Sequence, residues 1–242
     1  MKKFLALVAS GLFTLIVLAQ DKIVYDAHAE KRSVSSFHAV RVSHGIDLLL
    51  SQGNEEALAI SADEKELKEA VKTEVVDGEL RIYIKQDLEK WWNQLRRKGR
   101  SVKAYVSFKN MDHLDASSGS RTTIDGSLNS KKLSVNLSSG AHLKGRVVGE
   151  DVKIDVSSGA VTDISGEVED LQVNTSSGAH FYGFDLTAST CKADASSGSK
   201  IQLSVNKEIK ASASSGGGIN YKGDAAQTHV STSSGGKVRK GG

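Results

Sequence analysis

The chain has no proline, a single cysteine and only 5% aromatic residues among its 242. A lone cysteine, Cys191, excludes a disulfide framework and any cysteine-based metal cage within one chain. With so few rings and no proline, the core must be built from small and β-branched aliphatic side chains. Excess charge is missing too. The formal net charge is +3, and removal of Lys2 and Lys3 with a leader would leave 30 basic against 29 acidic residues. Such a chain offers no global field for nucleic acid, and no nucleic-acid partner is expected.

One apolar run, Phe4 to Ala19, follows Lys2 and Lys3 and precedes Asp21. It reads as a secretory signal peptide over residues 1–20. A retained anchor is the alternative, but about 16 residues fall short of the roughly 20 that a spanning helix needs. No cysteine near residue 20 offers a site for lipid attachment. The expectation is an exported protein, in the periplasm, on the outer surface or secreted, with no transmembrane span in the mature chain. Residues 21–32 would lead into a single domain over 33–240.

What is abundant is one tripeptide. Ser-Ser-Gly ends at Gly119, Gly140, Gly159, Gly178, Gly198, Gly216 and Gly235, with gaps of 21, 19, 19, 20, 18 and 19 residues. A fixed period near 20 is the signature of a solenoid, whose turns bury apolar side chains only against their neighbours. Five residues before the glycines stand Leu114, Val135, Ile154, Val173, Ala193, Ala211 and Val230; polar residues alternate with them. Period two marks half-buried strands. The residue after each glycine is always small: Ser120, Ala141, Ala160, Ala179, Ser199, Gly217, Gly236. On this phase the second serine of each motif is expected to point inward at a tight corner. A third short strand through Leu128, Val147, Val168, Leu186 and Val205 would close each coil. The predicted fold is all-β, a right-handed parallel β-helix of about 19–20 residues per coil. The Gly-rich tail after Val230 reads as a frayed last turn.

Residues 33–110 lack the repeat and predict irregular first coils that cap one end, protecting an otherwise open stack of strands. Strands are expected at Phe37–Val42, Ile46–Leu50, Ala57–Ser61, Leu80–Ile84 and Val102–Phe108, and a short helix at Asp63–Val71. Asp77-Gly78-Glu79 reads as a turn.

The repeats, together with Gly218-Ile219-Asn220, Phe37-His38-Ala39-Val40-Arg41-Val42, Gly45-Ile46-Asp47-Leu48 and Asp77-Gly78-Glu79-Leu80-Arg81-Ile82, resemble an exported bacterial family. It is the auto-transporter adhesin family with a head GIN domain, and Gly218, Ile219 and Asn220 would be its name-giving motif. The resemblance spans roughly residues 33–225. It implies a right-handed β-helix and a role in cell adhesion, with no catalytic set. The insertion around Trp91 and Trp92 departs from the pattern.

The outward column four residues before each glycine is the leading candidate site: Asp115, Asn136, Asp155, Asn174, Asp194, Ser212 and Ser231. Beside it run the first serines, Ser117, Ser138, Ser157, Ser176, Ser196, Ser214 and Ser233. Hydroxyls, amides and spaced carboxylates on a flat strip suit saccharide or Ca²⁺ contacts. The same residues could instead be a ladder that hydrogen-bonds along the stack, with Lys153 and Lys192 screening Asp155 and Asp194. A second candidate is Trp92 with Arg96 and Arg97, which could grip an anionic glycan or a membrane. Its alternative is a helix from Asp87 to Lys98 packing Leu88, Trp91 and Leu95 on the body, with Trp92 exposed to one side.

Catalysis is not expected. Paired acids need opposed placement and different surroundings, whereas these carboxylates repeat in one exposed column. His142 and His180 share a position two rungs apart, too far for one zinc ion. No metal or cofactor is predicted, and Cys191 reads as a core residue. The expected function is a non-enzymatic surface or periplasmic binding protein, an adhesin meeting a glycan or a surface protein. A structural envelope scaffold and a degenerate carbohydrate-active enzyme are the alternatives. Oligomeric state is left open.

Overall fold

The computed structural model describes residues 26–85, 88–97 and 99–241, so the signal peptide expected over residues 1–20 lies outside the described residues. In chain order the first elements are β1 (Glu30–Arg32), β2 (Ala39–Val42), β3 (Asp47–Gln52), β4 (Ala57–Ser61), α1 (Lys65–Ala70) and β5 (Val71–Val76). There follow β6 (Glu79–Ile84), α2 (Glu89–Arg97), β7 (Lys103–Phe108) and β8 (His113–Ala116). The repeats supply β9 (Arg121–Leu137), β10 (His142–Val156), β11 (Val161–Thr175), β12 (His180–Ala195) and β13 (Lys200–Ala213). The last coils hold β14 (Gly218–Lys222), β15 (Ala226–Thr232) and β16 (Lys237–Lys240).

Every Ser-Ser-Gly is a corner. The second serine and the glycine both take left-handed backbone, with φ of 52° at Ser118 and 71° at Gly119. The other six copies repeat this at 46–51° for serine and 71–79° for glycine. The following N–H bonds back to the first serine, as from Ser120 to the Ser117 carbonyl at 3.1 Å. Two residues at positive φ closed by that bond make a type I′ turn. The corners also stack. Gly119 N–H donates to the Ser139 carbonyl of the next coil at 2.9 Å, and the series runs on to Gly216 and Ser234. The second serines are exposed, not inward as expected. The turn breaks the period-two phase and swings them into solvent, and only the small residue after the glycine returns inside.

Between corners the chain pairs in parallel with its neighbours over almost its full length. The unequal repeat lengths are absorbed away from the corners, at register shifts within the long strands. β9 has two extra residues beside the Lys144–Arg146 step of β10, and β12 bulges between Gly183 and Thr187 against β13. The corners themselves never shift. Leu128, Val147, Val168, Leu186 and Val205 are all buried, but they occupy two adjacent inward columns. Val147 pairs with Leu128 and Gly166, whereas Val168 pairs with Gly149 and Ala188. No bulge separates β10 from β11, so the split reflects which inward position carries the large side chain, with Gly166 and Gly149 at the other. The tail is not frayed: β15 pairs with β13 and β16 with β14 in register, although their outer side chains are exposed.

The cap is more regular than predicted and is threaded out of order. β2 lies between β6 and β8, and β3 between β7 and β9. The chain thus lays down an inner coil first, builds β6 and β7 outside it, and returns to start the repeats. β5 closes antiparallel on β6, β4 on β7 and β1 on β4. Asp77 and Gly78, both at positive φ, form the β5–β6 turn. Between β2 and β3, Ser43-His44-Gly45 is an eighth corner, with φ of 63° and 70°.

The core is aliphatic, as expected, yet among the described residues four hydroxyl oxygens are sealed from solvent without a hydrogen-bond partner: those of Ser120, Thr122, Ser127 and Thr162. A buried unpaired hydroxyl costs about 1–3 kcal/mol, and an apolar isostere removes that cost. Thr122→Val and Thr162→Val are therefore expected to raise the melting temperature, each by about 1 kcal/mol of stability. Differential scanning calorimetry checks this; unchanged or lower midpoints would mean the hydroxyls are satisfied.

Candidate functional site

The column four residues before each corner is continuous. Asp115 pairs in register with Asn136, then Asp155, Asn174, Asp194, Ser212 and Ser231 follow rung by rung. Strand alternation turns Val156, Thr175 and Ala195 inward and leaves this column half-buried. Beside it Ser157, Ser176, Ser196 and Ser214 begin the corners. With Asp155, Asn174, Asp194 and Ser212 they line a shallow groove of ≈ 260 Å³ that runs across four coils. Ser117 and Ser138 continue the serine column toward the cap, also half-buried.

The column reaches further than the repeats. Arg41 stands opposite Asp115 and Arg81 opposite Arg41. Arg41 bridges Glu79 at 3.0 Å and Asp115 at 3.5 Å, and Arg81 reaches Glu79 at 2.6 Å. Burial pushes the Glu79 carboxyl up, but Arg81 and Arg41 outweigh it and hold it below its ordinary range. Sequence reasoning missed both arginines. Reading Ser43-His44-Gly45 as a corner would have placed Arg41 four residues before Gly45, in the column.

Each aspartate in the column has a partner. Asn174 donates its amide to Asp155 at 2.6 Å, Lys153 approaches Asp155 at 3.1 Å, and Lys192 lies 4.0 Å from Asp194. The two lysines screen as expected. Among the described residues no cluster of histidine, cysteine or carboxylate side chains could hold a metal ion. Asp155 and Asp194 sit two rungs apart with Asn174 between them, roughly 9–10 Å at ordinary strand spacing. Cys191 is buried, and burial, with the charge of Asp194, pushes its thiol up to about 12. It is packing, not a nucleophile.

Trp92 does not join a surface site. Its side chain is 0% exposed, contrary to the expectation of an outward ring. α2 is the helix anticipated there, and Leu88, Trp91 and Leu95 pack partly buried on the body. Trp92 goes deeper because its indole N–H donates to the His44 carbonyl. In later corners that second-position carbonyl accepts a glycine N–H from the coil before it. The indole thus replaces a missing coil. The side chains of Arg96 and Arg97 lie outside the described residues. Gly218, Ile219 and Asn220 open β14, with Ile219 fully buried and Asn220 exposed.

Comparisons with known proteins agree with this geometry. A Bacteroides fragilis structure described as a "putative adhesin" superposes with a TM-score of 0.77 at 13% identity, covering 88% of this chain and 95% of that one. A Parabacteroides distasonis structure described as a "putative lipid binding protein" gives 0.66 at 18% identity, covering 90% and 98%. A second from that organism, a "putative adhesin", gives 0.66 at 16% identity, covering 88% and 96%. At these identities the likeness establishes the fold. No curated protein matches the chain. The profile described as "Putative auto-transporter adhesin, head GIN domain" matches residues 36–225, most of the chain. On that match the chain belongs to the auto-transporter adhesin, head GIN domain family.

Proposed function

We propose that the chain is an exported, non-enzymatic binding protein whose polar groove docks an extended glycan. One observation carries the reading. Asp155, Asn174, Asp194 and four corner serines line a single groove across coils, in strict register. A repeating ligand suits a repeating row of hydroxyls, amides and carboxylates. Membership of an adhesin family supports binding and an exported or surface location. The carboxylates share one exposed face and like surroundings, which argues against a split acid and base. Among the described residues no helix is long and apolar enough to cross a membrane.

A glycan array with the wild type and an Asp155→Ala/Asn174→Ala variant tests this. The variant is expected to lose at least about tenfold in signal, about 1.4 kcal/mol. Unchanged binding would remove the groove from the reading. Capture of one envelope protein without glycan signal would favour a scaffold, and release of reducing or unsaturated sugar ends would favour an enzyme.

A further inference from the structure

The face that follows the corners carries a second pair of columns, chemically unlike the groove. Tyr182, Gln202, Asn220 and Arg239 stand in register on four successive coils. His180, Lys200, Gly218 and Lys237 form the column beside them. Three features set this strip apart.

The first is uncompensated charge. In the groove Lys153 and Lys192 face carboxylates, and on neighbouring rungs Lys144 and Arg146 face Asp163 and Glu167. Lys200, Lys237 and Arg239 make no ion pair among the described residues. The second is an exposed ring. Among the described residues Tyr182, at 41%, is one of two large hydrophobic residues left exposed, and it stacks beside His180 with centroids 5.7 Å apart. A ring with a polar tip suits a ligand that is part apolar and part wet.

The third is Gly218. The other described glycines have left-handed backbone or a neighbour that an added Cβ would meet within 4 Å; Gly218 has neither. Glycine in a strand interior costs about 0.5–1 kcal/mol relative to alanine, and here the fold gains nothing for it. What the missing side chain leaves is a notch between Lys200 and Lys237, next to the Asn220 amide. Ile219, wholly buried, anchors the segment.

We propose that Tyr182, Lys200, Gly218, Asn220, Lys237 and Arg239 form a site for an acidic polysaccharide, one whose sugars carry carboxylates. The cations pair with the carboxylates, with Arg239 able to hold one through two parallel bonds. The notch admits the sugar close to the strand, Asn220 and Gln202 meet its hydroxyls, and Tyr182 supports a ring at the far end. From Tyr182 to Arg239 the strip covers three rung spacings, about 14 Å. The site rests on the reading of the chain as a glycan-binding protein and adds a ligand class and a second surface.

Polygalacturonate is the probe, with dextran as the neutral polymer and phosphatidylglycerol vesicles as the anionic lipid surface. Calorimetric titration is expected to show polygalacturonate bound at least tenfold more tightly than dextran by this face. Binding should weaken sharply between about 0.1 M and 1 M salt, as the screening length falls from about 10 Å to 3 Å. Gly218→Leu should cut affinity about tenfold with no loss of melting temperature, and Lys200→Glu/Arg239→Glu should abolish binding. The proposal is overturned by no polygalacturonate binding, by equal dextran binding, or by wild-type affinity in Gly218→Leu. It is equally overturned if the vesicles, and not the polymer, bind through these residues. Array signals lost only in the groove variant would sink this site and leave the groove standing.

Discussion

Trp92→Ala is expected to cost about 3–5 kcal/mol, the usual range for emptying a fully buried aromatic site. For a chain of this size that is a fall of about 6–20 °C in melting temperature, at roughly 2–4 °C per kcal/mol. Two effects contribute. The ring fills space in the core under α2, and its indole N–H satisfies the His44 carbonyl at the first corner. Trp92→Phe separates them. It keeps most of the volume and removes the donor, and is expected to cost about 0.5–1.5 kcal/mol, the usual net worth of one hydrogen bond. Thermal unfolding followed by circular dichroism measures both. A Trp92→Ala protein as stable as the wild type would show that α2 is not needed to close the solenoid.

The second large effect is expected at Gly166. Its φ is 124°, a conformation open to glycine alone in practice, and a Cβ there would overlap the Val147 carbonyl oxygen of the coil below. Gly166→Ala must both strain the backbone and push two coils apart. Each of these typically costs about 1–3 kcal/mol. Gly159→Ala makes the matched control. That corner glycine has φ of 71° with nothing within 4 Å of an added Cβ, so only the left-handed cost of about 1–2 kcal/mol applies. Chemical denaturation of the two variants should rank Gly166→Ala clearly below Gly159→Ala. The reverse order would mean that corner geometry, not coil spacing, limits stability.

Both variants bear on how the solenoid holds its columns. The groove and the Tyr182 strip exist because every corner sits at the same azimuth, while length differences are confined to bulges such as Gly183–Thr187. Were the extra residues taken up at the corners, the pairings of Asn174 with Asp194 and of Asp194 with Ser212 would slip out of register.

The sequence by itself determined the stack. Seven tripeptides at a near-constant interval, with an apolar residue five places before each glycine, leave one way to bury them. That local periodicity also set which residues share the column from Asp115 to Asp194. The tertiary structure alone decided what depends on contacts between distant segments. β2 inserts between β6 and β8, although it precedes both strands in the chain, because parallel pairing rewards matched edges and not chain order. Helical spacing placed Trp92 at the side of α2, but its indole N–H reaches the His44 carbonyl on a segment 48 residues away, and the ring is buried with it. The outward second serines and the open notch at Gly218 were equally illegible. Each follows from backbone φ and from empty space beside a strand, and a residue name specifies neither.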